Sequence, residues 1–225
     1  MSANHAAFNL IFRFVENYIS PIAGRISSQR HVMAIRDGFI SAMPFMIVGS
    51  FLLVFAYPPF SPDTTWGFAR AWLDLAKEFE GRILTPFDMT MGIMSIYICA
   101  AISYNLGKHY EKSNQLDPFM CAMLSIMAFL LIAAPKTNGT LPVDSLGGTG
   151  IFTAILVAIY CVEMMRFLKA HNIGIRLPDQ VPPMIKNSFD LLIPVLVVVL
   201  TLYPLSLFIQ HHFDMLIPQA IMAIF

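Results

Sequence analysis

The chain has 225 residues, of which 57% are hydrophobic and 12% charged, and its mean hydropathy is +0.67. Ordinary soluble domains carry about 25% charged residues, so this composition argues against a soluble domain and indicates a membrane protein. Fourteen cations balance fourteen anions, which does not support the basic surface of a nucleic-acid-binding protein.

The sequence contains five apolar segments of about the length that a membrane-spanning helix needs, which is about 20 residues. In chain order they cover about 38–57, 87–106, 118–134, 150–167 and 189–208. A buried helix of a soluble protein would explain any one of them, but five in a chain with so little charge favour the membrane. We therefore predict an all-α membrane protein with about five transmembrane helices. Small residues in the first segment predict close helix packing: Gly38, Ala42 and Gly49.

Two further segments, 7–19 and 66–84, are amphipathic. Both are typical of helices that lie at the membrane surface, although packing against the protein's own loops explains them equally well. The loop 135–150 contains an Asn-Gly pair and several glycines. This composition predicts a short outer hairpin.

Three aspartates lie where helices are predicted to begin. Residues 85–88, TPFD, place Thr85 as a cap, Pro86 at the first helical position and Asp88 near the positive helix end. Asp117 precedes a proline in the same way, and Asp190 follows Asn187 as a predicted cap. We therefore expect structural rather than catalytic roles for these carboxylates.

The cysteines and histidines do not form a pattern that predicts a metal site. Cys99, Cys121 and Cys161 lie in apolar segments at spacings that fit neither metal ligation nor a disulfide framework, so we interpret them as small buried hydrophobic residues. His211 and His212 lack further ligands. No metal and no cofactor are expected.

Charges inside or near a span are costly, about 2.5–3.5 kcal/mol at the centre of a helix, so Arg36, Asp37 and Glu163 are the weak candidates for a binding function. Arg36 can extend to the interface, and adjacent residues on a helix are not expected to face each other. Glu163 precedes Arg166 by three residues, which favours an ion pair at the span end over a proton relay. His31 flanks a span and is expected at the interface.

Loop cations predict the orientation, because cytoplasmic loops carry an excess of lysine and arginine. With a cytoplasmic N-terminus, ten cations lie inside: Arg13, Arg25, Arg30, Arg36, Lys108, Lys112, Arg166, Lys169, Arg176 and Lys186. Four then lie outside: Arg70, Lys77, Arg82 and Lys136. The bias favours a cytoplasmic N-terminus.

The stretch LPDQVPPMIKNSFDLLIP at 177–194 resembles the loop signature between the fourth and fifth spans of phosphotransferase-system sugar permeases, the IIC subunits of the lactose/cellobiose/chitobiose family. The matching loop residues include Leu177, Pro178, Asp179, Pro182, Pro183, Ser188 and Phe189, while Gln180 replaces the usual serine. Residues 30–53 and 90–107 resemble the first and second spans of the same family. The three matches occur in the right order over nearly the whole chain.

The resemblance implies that residues 1–225 are the N-terminal scaffold half of such a permease, forming a homodimer in the bacterial inner membrane. The C-terminal transport half, which in the family holds the sugar with a histidine and a glutamate, is expected to be absent from this chain. The substrate is implied to be a β-disaccharide, phosphorylated by a cysteine of a separate IIB protein within the IIA–IIB relay. No catalytic residue is therefore expected here, and enzymatic activity stays open.

Two other functions remain open from the sequence. The chain could be a regulatory or structural membrane protein that pairs with a complete permease. It could also be a half-transporter that dimerises around Arg36, Asp37 and Glu163. The proline-rich loop is expected to be a stiff, extended connector, and cellobiose, chitobiose, lactose and aryl-β-glucosides all stay open as the sugar.

Overall fold

The computed structural model describes residue 16, residues 20–135, residues 142–175, residue 182 and residues 189–224. In these ranges the regular structure is helical. The helices are α1 (Ser20–Ser27), α2 (Arg30–Ala56), α3 (Gly67–Asp88), α4 (Met94–Asn114), α5 (Pro118–Ala133), α6 (Ile151–Ala170), α7 (Leu192–Phe213) and α8 (Ile217–Ile224). A 3-10 turn, Gly148–Gly150, leads directly into α6.

Among the described residues, three helices are long and apolar enough to cross a membrane: α2, α6 with its preceding turn, and α7. Helix α5 is apolar but has 16 residues. Helix α4 has 21 residues, but its last turns are polar, ending in KHYEKSN. Each of the five predicted apolar segments lies for most of its length on one helix, in chain order α2, α4, α5, α6 and α7. The predicted fold class, an all-α membrane protein, is confirmed.

Helix α4 is the centre of the bundle, because it packs against α2, α5 and α6. Its contact with α2 depends on the predicted stripe of small residues. A Cβ added to Gly38 would collide with the side chain of Ile102 and would lie 2.9 Å from the Ile102 backbone nitrogen. A Cβ on Gly49 would lie 2.7 Å from Cβ of Met91. Met91 lies in the turn before α4, so Gly38 permits the close approach of α2 to α4 and Gly49 permits the approach of α2 to that turn.

The interface of α4, α5 and α6 is filled with small side chains. The thiols of Cys99, Cys121 and Cys161 are free and buried, which confirms their interpretation as small hydrophobic residues. Two buried serines bond within their own helices, since Ser103 Oγ donates to the carbonyl of Cys99 at 2.8 Å and Ser125 Oγ to that of Cys121 at 2.9 Å. Satisfying each hydroxyl locally removes the cost of burying it.

The predicted helix start at 85–88 was wrong, because these residues end α3 instead. Thr85 Oγ1 donates to the carbonyl of Gly81, one turn earlier, and Pro86 lies inside the helix. The amides of Met91 and Gly92 then donate to the carbonyl of Phe87 and close the helix with a turn. The next span begins at α4 rather than at Phe87. Because Pro86 has no N–H, the hydrogen bond to the carbonyl four residues earlier is missing in the last turn of α3.

The predicted start at Asp117 was correct. Its carboxylate accepts hydrogen bonds from the amides of Phe119 and Met120 at 2.9 and 3.3 Å, and Pro118 occupies the first helical position. Asn187 lies outside the described residues. Asp190 lies in a helical turn just before α7, and its carboxylate has a partner on another helix, described below.

Helix α3 is the predicted amphipathic helix, and it packs against the end of α2. Trp72 Nε1 donates to the carbonyl of Phe55 at 3.2 Å, and the two rings are 5.5 Å apart. Tyr57 Oη donates to Glu80 at 2.9 Å. The predicted amphipathic helix at 7–19 lies outside the described residues except for residue 16. The Asn-Gly pair of the loop 135–150 also lies outside the described residues, while residues 144–146 form a turn.

Replacing Gly38 with alanine tests the close approach of α2 and α4. The added methyl group has to displace the backbone of α4 at Ile102, so we expect a loss of stability of about 1–3 kcal/mol, as in overpacked cores. Thermal unfolding of the purified chain in detergent, followed by circular dichroism, measures the effect.

Gly81→Ala in α3 is the matched control, because nothing lies within 4 Å of its added Cβ. Alanine is a better helix former than glycine by about 0.5–1 kcal/mol, so this variant should melt at the same temperature or higher. Equal melting temperatures for Gly38→Ala and the unsubstituted chain would contradict the packing described for α2 and α4.

Candidate functional site: a polar cluster at one end of the bundle

The carboxylate of Glu163 is the centre of a polar cluster that joins three helices. Its Oε2 lies 2.7 Å from Nη1 of Arg166, one turn later on α6. Its Oε1 accepts from the Tyr110 hydroxyl of α4 at 2.7 Å and lies 2.9 Å from His31 Nε2 of α2. Because an ionised carboxylate only accepts hydrogen bonds, His31 donates through Nε2.

The sequence predicted one contact of this cluster and missed the other two. The ion pair between Glu163 and Arg166 follows from their spacing of three residues on a helix, and it is confirmed. Tyr110 and His31 are 53 and 132 residues away from Glu163. Polar residues near the ends of their spans were the available signal, but only the packing of α2, α4 and α6 brings them together.

The buried Tyr110 connects the two charged residues of the cluster. Its ring is 2% exposed, and its hydroxyl also accepts a hydrogen bond from Arg166 Nη1 at 3.1 Å. Burial, and then the hydrogen bond to Glu163, raise the pKa of Tyr110 above its ordinary value. Tyr110 lies beyond the predicted span 87–106, and its neutral phenol is the form that donates to the carboxylate.

A second contact at the same end fixes the start of α7. Lys169 Nζ lies 3.4 Å from Asp190 Oδ2 and donates to the carbonyl of Gln115 at 2.6 Å. Gln115 ends α4 in a left-handed conformation, with φ of 53°, which turns its carbonyl away from the helical bonding pattern. One lysine of α6 thus connects the end of α4 to the segment that enters α7.

The other two candidates, Arg36 and Asp37, do not join the cluster. The prediction that they would not face each other was wrong, since Arg36 Nε donates to Asp37 Oδ1 at 2.8 Å. The long arginine side chain folds back to its neighbour. Both side chains are exposed, at 61% and 36%, and an exposed pair contributes about 0–1 kcal/mol to stability. We interpret this pair as a surface feature.

Most of the loop signature lies outside the described residues: Leu177, Pro178, Asp179, Pro183 and Ser188. Pro182 is exposed, and Phe189 lies in the helical turn before α7 with 40% exposure. The predicted stiff connector therefore stays a prediction.

Replacing Glu163 with glutamine tests whether the cluster joins the helices. The neutral amide loses the charge that Arg166 faces, and hydrogen bonds to charged groups contribute about 1.5–3 kcal/mol. We expect a loss of stability in that range, measured by thermal unfolding in detergent. Asp37→Asn removes a carboxylate from the exposed pair and should change stability by less than about 1 kcal/mol. Equal effects of the two substitutions would contradict a joining role for Glu163.

The comparisons with known proteins agree on one family. The family model described as "Phosphotransferase system, EIIC" matches residues 36–224. The chain is 35% identical over 206 residues to the cellobiose-specific EIIC component of Geobacillus stearothermophilus, covering 83% of this chain and 43% of that protein. It is 30% identical to the lichenan permease IIC component of Bacillus subtilis, covering 90% of this chain and 46% of that one.

A lactose-specific EIICB component of Streptococcus mutans is 32% identical over 207 residues, covering 89% of this chain and 35% of that protein. Among solved structures, the transporter ChbC, the IIC component of an N,N'-diacetylchitobiose-specific phosphotransferase system, matches with a TM-score of 0.76 and 32% identity. That match covers 93% of this chain and 50% of ChbC. The chain therefore spans about half the length of the relatives it matches, or less, and it belongs to the EIIC family of integral membrane proteins of the phosphotransferase system.

Proposed function

We propose that this chain is the scaffold half of an EIIC permease that takes up a β-disaccharide, such as cellobiose or chitobiose, through the bacterial inner membrane. The observation that carries the proposal is the likeness to ChbC, with a TM-score of 0.76 over 93% of the chain at 32% identity. The names of the cellobiose and lichenan relatives support the sugar class.

The phosphoryl chemistry of this system belongs to partners. We infer that a IIB protein, supplied with phosphate by IIA, phosphorylates the sugar that the permease presents. The relatives named lactose-specific EIICB components support IIB as a neighbour of this chain. The buried positions of Cys99, Cys121 and Cys161 also suit packing rather than phosphate transfer, because a reactive thiol needs solvent access and stabilisation of its thiolate.

The distribution of burial supports a scaffold role. Helix α6 packs against α4, α5, α7 and α8, whereas α2 and α7 leave most of their length uncovered. The large apolar side chains on their outer faces are exposed, including Ile47, Phe51, Phe55, Leu196, Leu200 and Phe208. Such faces suit lipid and a second copy of the chain, and we propose a homodimer on this basis.

The cation distribution supports a cytoplasmic N-terminus. The polar cluster places the start of α2 and the ends of α4 and α6 at the same end of the bundle. This end carries most of the described cations: Arg25, Arg30, Arg36, Lys108, Lys112, Arg166 and Lys169. The remaining described cations lie on α3: Arg70, Lys77 and Arg82. We propose that the cation-rich end faces the cytoplasm.

Two alternatives have less support. A half-transporter built on Arg36, Asp37 and Glu163 needs polar groups that are free to contact substrate, but all three make ion pairs at one end of the bundle. A regulatory protein that pairs with a complete permease predicts a stable complex with it, so co-purification of the two chains would favour that function.

Purified protein in detergent tests the scaffold proposal. We expect light scattering during size-exclusion chromatography to give the mass of two chains. Isothermal titration with cellobiose and with N,N'-diacetylchitobiose should give no binding heat, while ChbC as the control should bind N,N'-diacetylchitobiose. Sugar affinity comparable with that of ChbC would contradict the assignment of the sugar site to the other half, and a monomer would contradict the dimer.

A further inference from the structure

Two arginines from different helices lie against one tyrosine ring. Cζ of Arg166 is 4.7 Å from the centre of the Tyr110 ring, and Cζ of Arg30 is 5.5 Å from the same centre. The two guanidinium groups therefore lie within about 10 Å of each other. Two like charges repel each other, and an anion that lies near both offsets that repulsion.

Glu163 neutralises only one of these two charges. Its carboxylate pairs with Arg166, while Arg30 makes no ion pair with any carboxylate of the described residues. Arg166 uses Nη1 for both of its hydrogen bonds within the described part of the chain. The N–H groups of Nε and Nη2 therefore remain available to a ligand. The site therefore has a surplus positive charge and unused guanidinium N–H groups.

We propose that Arg30 and Arg166 bind the phosphodiester headgroup of an anionic phospholipid. Guanidinium groups match phosphate oxygens with pairs of parallel hydrogen bonds. Arg30 is exposed, so its guanidinium group can turn toward a phosphate bound to Arg166. Basic pockets between membrane helices at the cytoplasmic side are suited to such headgroups.

Exposed apolar side chains at the same end of the bundle favour a lipid over a soluble anion or an acidic protein. Phe167 follows Arg166 directly on α6 and is 53% exposed, and Ile26 of α1 is 55% exposed. A phospholipid can place its phosphate between the two arginines and lay an acyl chain on these apolar side chains. It thereby contacts both the charged and the apolar groups. The inference depends on the chain being a membrane protein and on the proposed cytoplasmic position of this end, not on sugar transport.

Native mass spectrometry of the full chain, released from a neutral detergent, tests the site. The protein is titrated with phosphatidylglycerol and, separately, with phosphatidylcholine. We expect tighter binding of phosphatidylglycerol. Because hydrogen bonds to charged groups are strong, Arg30→Gln should weaken that binding by at least about tenfold more than Arg36→Gln. Arg36 is the matched control, since it is an exposed arginine on the same helix that already pairs with Asp37.

Three results would overturn the proposal. Equal affinity for the two lipids would mean that headgroup charge is not recognised. Equal losses in the two variants would mean that any cation at this end suffices. Displacement of phosphatidylglycerol by inorganic phosphate at the same concentration would identify a soluble-phosphate site instead of a lipid site. Preference for phosphatidylglycerol that disappears in Arg30→Gln alone would support it.

Discussion

The arrangement of the helices at one end of this protein depends on the ion pair and hydrogen bonds of the Glu163 carboxylate. An anion on an apolar helix has to be neutralised and hydrogen-bonded, because leaving it alone costs several kcal/mol. Here the partners come from three helices, since Arg166 lies on α6, Tyr110 on α4 and His31 on α2. Satisfying one charge therefore fixes the relative positions of three helix ends, and Lys169 extends the same constraint to the segment before α7.

Away from this end, helix contact depends on small side chains instead of charge. In lipid there is little hydrophobic force between helices, so close packing and local hydrogen bonds have to hold them together. Gly38 allows α2 to reach the backbone of α4, and the buried cysteines and serines let α4, α5 and α6 approach closely. The bundle is thus joined by polar contacts at its cation-rich end and by close packing within the apolar region.

The sequence predicted the features of this fold that depend on neighbouring residues. Apolar length predicted the spans, Asp117 followed by proline predicted a helix start, and the spacing of Glu163 and Arg166 predicted their ion pair. The prediction failed at Pro86, where the same cap-and-proline pattern ends a helix, because the helix before it is stabilised by packing of Trp72 on α2. The contacts of His31 and Tyr110 with Glu163 depend on tertiary packing, which no local pattern contains. The family, in contrast, was recognisable from motifs spread along the chain.

A double-mutant cycle between Tyr110→Phe and Glu163→Gln tests the central claim most directly. Both substitutions nearly keep the shape of the side chain and alter the two polar groups that meet at 2.7 Å. Each substitution also alters a contact with Arg166, which is part of the same cluster. If Glu163 holds α4 against α6 through this contact, the two losses in unfolding free energy should be coupled by at least about 0.5 kcal/mol. Losses that add within about 0.3 kcal/mol would mean that the groups act independently, and the cluster would not be what joins these helices.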